Sequence, residues 1–372
     1  MNCAYLINEL KIDEKVLDGK KQQTNYKIKY VIEYIRLWLI INSRRKEVEN
    51  INFIDCMCNA GIFKDGDLGT SVEVFLLFID NAKSYPDKMY NLFLNDYDSK
   101  RVKTIKLLLN YFSKTEQVKN INCFISNKDV NEYLQEYGEF DKYLKYNAAT
   151  VLFVDPYDFG TVKIDNVQRF INRYYCELIF NFFSSDYVRN GLDVRIRECI
   201  GNIDVKNKDD LIKYICECFR IGRIRHVFSY KFKTLTNTEI YQIIFATPSD
   251  KGLDKLKESL WKVFNGKFNH RNYKTDGGQL SLFTEEDDRK CLLSMHSLEA
   301  KKMLLEKYEN TTVSYNDIEK FLTEKTMMMT TQFLNHVIKP LINEGYIKKC
   351  GLVTHKNNFK KDSYTFCEGV NN

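Results

Sequence analysis

The feature that most constrains this chain is a repeated unit between residues 51 and 183: an apolar run of strand length, a turn carrying an acid or amide, then a helix. Ile51–Cys56, Tyr90–Leu94, Val118–Ile125, Thr150–Val154 and Glu177–Phe183 are short, apolar and rich in β-branched and aromatic residues, which predicts strands. Between them Ser71–Ala82, Ser99–Phe112, Val130–Tyr137 and Val167–Arg173 read as helices. In the second of these, Val102, Ile105, Leu108, Leu109 and Phe112 share one face. Strand, helix, strand at this cadence predicts a parallel sheet covered by helices on both faces. Asn25–Asn42 adds a helix at the front, with Ile28, Val31, Ile32, Ile35 and Leu39 at three- and four-residue spacing. His226–Lys233 and Glu239–Ala246 follow, separated only by the polar Thr234–Thr238. So short a connection predicts an antiparallel pair.

The texture changes after Lys255–Phe264. Residues 265–284 are polar, with three glycines in Asn265–Gln279, and read as a linker. Helices are then expected at Glu285–Tyr308, Tyr315–Glu324 and Thr330–Asn343, followed by a turn at Gly345 and a strand at Ser363–Cys367. Three helices and a closing hairpin are the content of a winged helix. The expected organisation is an N-terminal extension over 1–24, an α/β domain over 25–264, a linker over 265–284 and a winged-helix-like domain over 285–372.

Bulk properties narrow the function. With 56 basic against 50 acidic residues, the net charge of +6 tolerates a polyanionic partner without requiring one. The 11 cysteines are an odd number, scattered, and include only C-x-C pairs, Cys56/Cys58 and Cys216/Cys218. No zinc-site spacing and no secretory signal accompany them, so reduced thiols in a cytoplasm are expected. The five histidines are dispersed, and no metal site is expected. No apolar run reaches the ~18–20 residues of a membrane span, and the nearest candidate, Val31–Ile41, carries Glu33 and Arg36. The loop Lys64–Thr70 lacks the residue order of a phosphate-binding P-loop.

Open parallel sheets bind ligands beyond the C-terminal ends of their strands. The first strand ends in Asp55-Cys56-Met57-Cys58-Asn59-Ala60-Gly61, where a flexible turn lets backbone approach a ligand and an acid can hold an amino group. The second ends at Asp96, suited to two ribose hydroxyls. The third leads to Asp129, suited to an exocyclic amine, and the fourth to Asp155-Pro156-Tyr157, where acceptors and a ring could hold a target base. An acid at a strand end also serves as a helix cap or turn former, and four in succession outweigh that reading.

Phe53-Ile54-Asp55, Ala60-Gly61-Ile62-Phe63, Asp65-Gly66 and Gly69-Thr70, in that order, resemble the first motifs of the three-Cys-motif partner family. Asp129-Val130-Asn131, Phe153-Val154-Asp155-Pro156-Tyr157, and Phe180-Asn181-Phe182 with Arg189 are similar to its later landmarks. The resemblance spans residues 25–345. It implies a Rossmann-like class I methyltransferase sheet, a strand content that the five parallel strands and late antiparallel pair also fit. It implies S-adenosylmethionine as cofactor, with Asp55, Asn59, Gly61, Asp96 and Asp129 around it, and a three-cysteine iron–sulfur protein as partner. Asn59 stands where the family has its first glycine, and asparagine can adopt the left-handed backbone that glycine favours.

Two functions are expected. One is methyl transfer to nucleic acid at a base amino group through Asp155, Pro156 and Tyr157. The other is a catalytically silent adaptor that binds S-adenosylmethionine or a nucleotide and presents nucleic acid to the partner enzyme. In either case Arg223, Arg225, Thr330, Thr331, Gln332, Lys348 and Lys349 are candidate nucleic-acid contacts.

Overall fold

The computed structural model describes residues 2–144, 147–158, 160–184, 193–201, 207–233, 239–267, 269–271, 285–350 and 362–367. They form two compact units, one of residues 1–252 with 269–274, the other of 253–268 with 275–372.

The first unit is built on strands β1 (Asn50–Asp55), β2 (Met89–Asn95), β3 (Ile121–Ser126), β4 (Ala148–Val154), β5 (Glu177–Phe182), β6 (His226–Lys233), β7 (Glu239–Thr247) and β8 (Asn269–Arg271). Their spatial order is β3-β2-β1-β4-β5-β7-β6-β8. The first five run parallel, and β7 lies antiparallel to both β5 and β6. A 3-2-1-4-5-7-6 order with a reversed β7 is the sheet of a class I methyltransferase, as the strand sequence predicts. The short β8 extends it beside β6. The connection at 234–238 lies outside the described residues, as does Arg189.

Both faces of the sheet are covered, which is why the strands are continuous apolar runs rather than alternating ones. Ile54, Phe93, Leu152, Val154, Leu178 and Phe180 point into one core, shared with the helices Ile164–Arg173 and Lys208–Phe219. The helices Gln22–Ser43, Thr70–Ser84 and Ser99–Glu116 pack in succession against one another. Through the centre of the sheet runs a ladder of amides. Asn122 Nδ2 donates to Asn91 Oδ1 at 2.9 Å, Asn91 Nδ2 to Asn52 Oδ1 at 2.8 Å, and Asn52 Nδ2 to Thr150 Oγ1 at 3.1 Å. These residues are direct neighbours in the strand register. A one-residue slip would leave buried amides unpaired, so the ladder penalises misregister.

Residues 1–24, set apart in the sequence as an extension, are part of this unit. Cys3, Leu6, Ile7, Ile12, Val16 and Leu17 are buried, Cys3 N donates to Gly66 O at 2.7 Å, and Lys20 pairs with Asp67 at 2.7 Å. Gly66 has φ +83°, and a Cβ there would lie 2.4 Å from the Ala4 backbone. The Asp65-Gly66 motif therefore seats the N-terminal segment.

The second unit contains the helices Glu285–Tyr308 and Tyr315–Lys325 and a helical run from Thr330 to Asn343. Its sheet has the order β10-β11-β9, with β9 at Thr312–Ser314, β10 at Ile347–Cys350 and β11 at Ser363–Phe366. Leu304, Ile318, Leu322, Phe333, Val337, Leu341, Ile347 and Phe366 form its core. The run Thr330–Asn343 contains a π turn at Leu334–Ile338, just before Pro340. Proline lacks the N–H that an α-helix needs there, and a wider turn accommodates it. The helix Asp250–Phe264, placed with the first domain in the sequence, belongs to the second unit from Leu253 onward. Trp261 Nε1 donates to Met327 O at 2.8 Å and Lys257 Nζ donates to Thr323 O. Residues 272–284, most of the expected linker, lie outside the described residues.

Candidate functional site

The strand order reverses between β1 and β4, and a cavity of about 490 Å³ opens at their C-terminal ends. Asp55, Met57, Asn59 and Gly61 line it from the β1 loop, Asp155, Pro156 and Tyr157 from β4, and Asn181 from β5. The N-terminal segment adds Asp18, Lys21 and Lys27.

Asp55 is buried, and its carboxylate accepts Met57 N at 3.1 Å and the Ser71 hydroxyl. Burial pushes its pKa up to about 7, against the pull of these two donors. An acid poised near neutrality in this way is shifted toward its ionised form by a cation placed beside it. Asn59 has φ +56° and so takes the left-handed conformation expected of it. Its Oδ1 accepts Ala60 N at 2.6 Å and its Nδ2 donates to Asp18 Oδ2 at 2.7 Å. Gly61 has φ +78°, but the space beside its Cα is filled by protein. A Cβ would stand 2.8 Å from Val72 Cγ2 and 3.1 Å from Ile105 Cγ1. Its freedom serves the turn and the packing beneath it.

The two middle acids are placed differently from the expectation. Asp96 does not line the cavity. Its oxygens accept Asn59 N at 2.9 Å and Asp98 N at 2.9 Å, so it braces the β1 loop from behind. Burial raises its pKa. Asp129 caps the short helix Val130–Tyr133 by accepting Asn131 N at 2.8 Å, and it too is outside the cavity lining. For Asp129 the helix-cap reading is the one the geometry carries.

At the β4 end, Asp155 is already engaged. Lys27 Nζ lies 2.7 Å from Oδ1 and 2.5 Å from Oδ2, and Asn181 Nδ2 donates to Oδ1 at 2.6 Å. Tyr157 is 51% exposed, and the Arg101 guanidinium lies 4.8 Å from its ring centroid. Arg101 is held in turn by Asp18 at 3.3 Å. Sequence reasoning did not single out Lys27, Asp18, Arg101 or Asn181 as site residues. Lys27 alone had a local signal: it continues the stripe Val31, Tyr34, Trp38, all buried, and a lysine in such a stripe needs a partner.

The nucleic-acid candidates are dispersed. Arg223 and Arg225 precede β6, at the N-terminal edge of the sheet and therefore opposite the cavity. In the second unit, Thr330 N and Oγ1 both donate to Asp254 Oδ1 at 3.0 Å, and Gln332 is buried with Oε1 accepting Met329 N at 2.9 Å. The Gln332 side chain is thus spent on starting its own helix, and that of Thr330 on Asp254 of the helix Asp250–Phe264. Thr331 and Lys348 are exposed, and Lys349 pairs with Asp362 at 2.8 Å.

All 11 cysteines are free thiols, and burial pushes those of Cys56 and Cys58 well above the usual range. Among the described residues no helix is long and apolar enough to cross a membrane.

No family model and no curated protein matches this chain. Solved structures similar to it include a protein from Listeria monocytogenes assigned as a class I S-adenosylmethionine-dependent methyltransferase, at 10% identity and TM-score 0.32, covering 65% of each chain. Another is the methyltransferase subunit of a type I restriction-modification system from Streptococcus thermophilus, at 13% identity and TM-score 0.31, covering 65% of this chain and 47% of that one. This chain thus spans less than two thirds of either neighbour. The fold rests on the strand order, not on these scores.

Proposed function

We propose that the first unit binds S-adenosylmethionine in this cavity and transfers its methyl group to a base amino group of a nucleic acid. The observation that carries the reading is the convergence of Asp55, Asn59 and Gly61 with Asp155, Pro156 and Tyr157 on one cavity at the switch point of the sheet. The volume is that of a small-molecule site. Asp55 suits the ammonium of a methionine moiety, since a cation beside it restores the charge that burial disfavours. The bound cofactor supplies an electrophilic methyl carbon. Asp155 and the Pro156 carbonyl accept hydrogens of the target amine and so turn its lone pair toward that carbon. Tyr157, backed by Arg101, offers its ring to an extruded or single-stranded base.

The second unit has the element order of a winged helix, with β9 and β10 both pairing with β11, and we read it as the nucleic-acid module. Thr331, Lys348 and Lys349 would meet the phosphate backbone there. The adaptor reading, in which the chain presents nucleic acid to a three-cysteine iron–sulfur protein, draws on one observation: Lys27 already occupies both oxygens of Asp155.

Transfer of a labelled methyl group from S-adenosylmethionine to DNA and RNA separates the two. The transferase reading expects incorporation that Asp155→Ala abolishes and Tyr157→Ala lowers, with cofactor binding retained by calorimetry. Cofactor binding without incorporation into any nucleic acid, with or without the partner, selects the adaptor. Absence of binding at millimolar cofactor refutes the transferase and leaves the adaptor reading in the lead.

A further inference from the structure

The β4–β5 side of the cavity holds an arrangement more specific than a lone acid. Lys27, in the second turn of the helix Gln22–Ser43, is 8% exposed and grips both oxygens of Asp155. Asn181, 1% exposed on β5, must face Asp155 through its amide nitrogen, because a carboxylate only accepts. Its Oδ1 is therefore fixed as the free end, and that oxygen is buried without a hydrogen-bond partner. Buried unpaired acceptors are few in native proteins, and one lining a cavity points to a ligand donor. Asp155 Oδ1 receives both Lys27 and Asn181, whereas Oδ2 receives Lys27 alone and keeps an acceptor lobe. Two acceptors, Asn181 Oδ1 and Asp155 Oδ2, thus remain beside an ammonium, and the lysine and aspartate charges cancel.

We propose that Lys27, Asp155 and Asn181 form a charge-neutral subsite for the amino edge of adenine or cytosine, in which Lys27 is the specificity residue that turns away cationic amines. The neutral exocyclic amine gives one hydrogen to Asp155 Oδ2 and the other to Asn181 Oδ1, which takes the place assigned above to the Pro156 carbonyl. The adjacent ring nitrogen faces the Lys27 ammonium. A lysine side chain or a polyamine, which an unpaired aspartate would attract, meets no net negative charge at the Lys27–Asp155 pair. Uracil presents one ring N–H flanked by carbonyls and leaves one acceptor unfilled, and a site built to pair such a donor rejects ligands that lack it. This subsite rests on the base-amine reading above, but its binding selectivity is independent of methyl transfer.

The test is ligand-observed NMR titration of the full chain, without cofactor, using adenosine, cytidine, uridine and spermidine. The wild-type protein is expected to bind adenosine or cytidine about tenfold more tightly than uridine, with spermidine weakest. Asn181→Ala should remove most of that preference. Lys27→Met should weaken the nucleosides and strengthen spermidine about tenfold, while Lys27→Arg keeps the wild-type order. Each variant is first compared with the wild type by thermal melting. If Lys27→Met does not fold, the wild-type selectivity and the Lys27→Arg order still decide. Equal binding of the three nucleosides by the wild type, or spermidine as its preferred ligand, overturns the subsite. So does an unchanged order in folded Lys27→Met. Nucleoside selectivity in a chain that binds no S-adenosylmethionine would instead retain the subsite and refute the transferase.

Discussion

Replacing Asp55 by asparagine should make the first unit more stable, by a margin that grows as pH rises from mild acid through neutrality. The folded protein holds the Asp55 proton up to about pH 7, whereas the unfolded chain releases it near the ordinary value of 3.8. Between those values the unfolded state binds fewer protons, so stability falls as pH rises, and the loss is complete above about 7. About three pH units correspond to about 4 kcal/mol. Asparagine copies the protonated acid: its Oδ1 can accept Met57 N, and its amide can donate to the Ser71 oxygen that now donates to Asp55. The assay is urea unfolding at pH 5 and pH 8 in a Trp261→Phe background, where Trp38, buried in the first unit, is the sole tryptophan reporter. The variant should exceed the parent by about 1.5–2 kcal/mol at pH 5 and by about 4 kcal/mol at pH 8. A difference that stays constant between the two pH values refutes the argument.

Three further outcomes follow from the packing. Gly61→Ala places a Cβ 2.8 Å from Val72 Cγ2 at φ +78° and should cost about 2–4 kcal/mol by urea unfolding, whereas Gly138→Ala, with open space around it, should stay within about 0.5 kcal/mol. Lys257 is buried and its pKa is pushed down to about 7 by desolvation, so the unfolded chain binds the extra proton between about 7 and 10.5 and the second unit should gain stability as pH rises through that window. Lys257→Met should flatten the gain, followed through Trp261 in a Trp38→Phe chain; an equally steep gain in the variant refutes the assignment. Removing residues 1–17 exposes the pockets of Leu6, Ile7, Ile12, Val16 and Leu17, each worth about 1.5–3 kcal/mol, and should abolish the cooperative thermal transition reported by Trp38; a wild-type melt refutes their structural role.

The sequence by itself determined the architecture of the first unit. Strand-length apolar runs alternating with helical periodicity give the parallel sheet, because that pattern has few other ways to bury both faces. The short gap before β7 gave its antiparallel pairing, and chain direction alone put Asp55 and Asp155 at the edge where ligands bind. Tertiary structure decided which acids do what. Asp55, Asp96, Asp129 and Asp155 look alike in sequence, yet one lines a cavity with its pKa raised by burial, one braces a loop, one caps a helix and one is held by a lysine 128 residues away. The asparagine ladder through β3, β2, β1 and β4 was equally illegible, since each amide sits alone in its own apolar run. Periodicity reports which face of an element is buried. The partner of a buried polar group depends on which elements meet there, and for Lys27, Asn181 and the N-terminal segment only the folded chain supplies it.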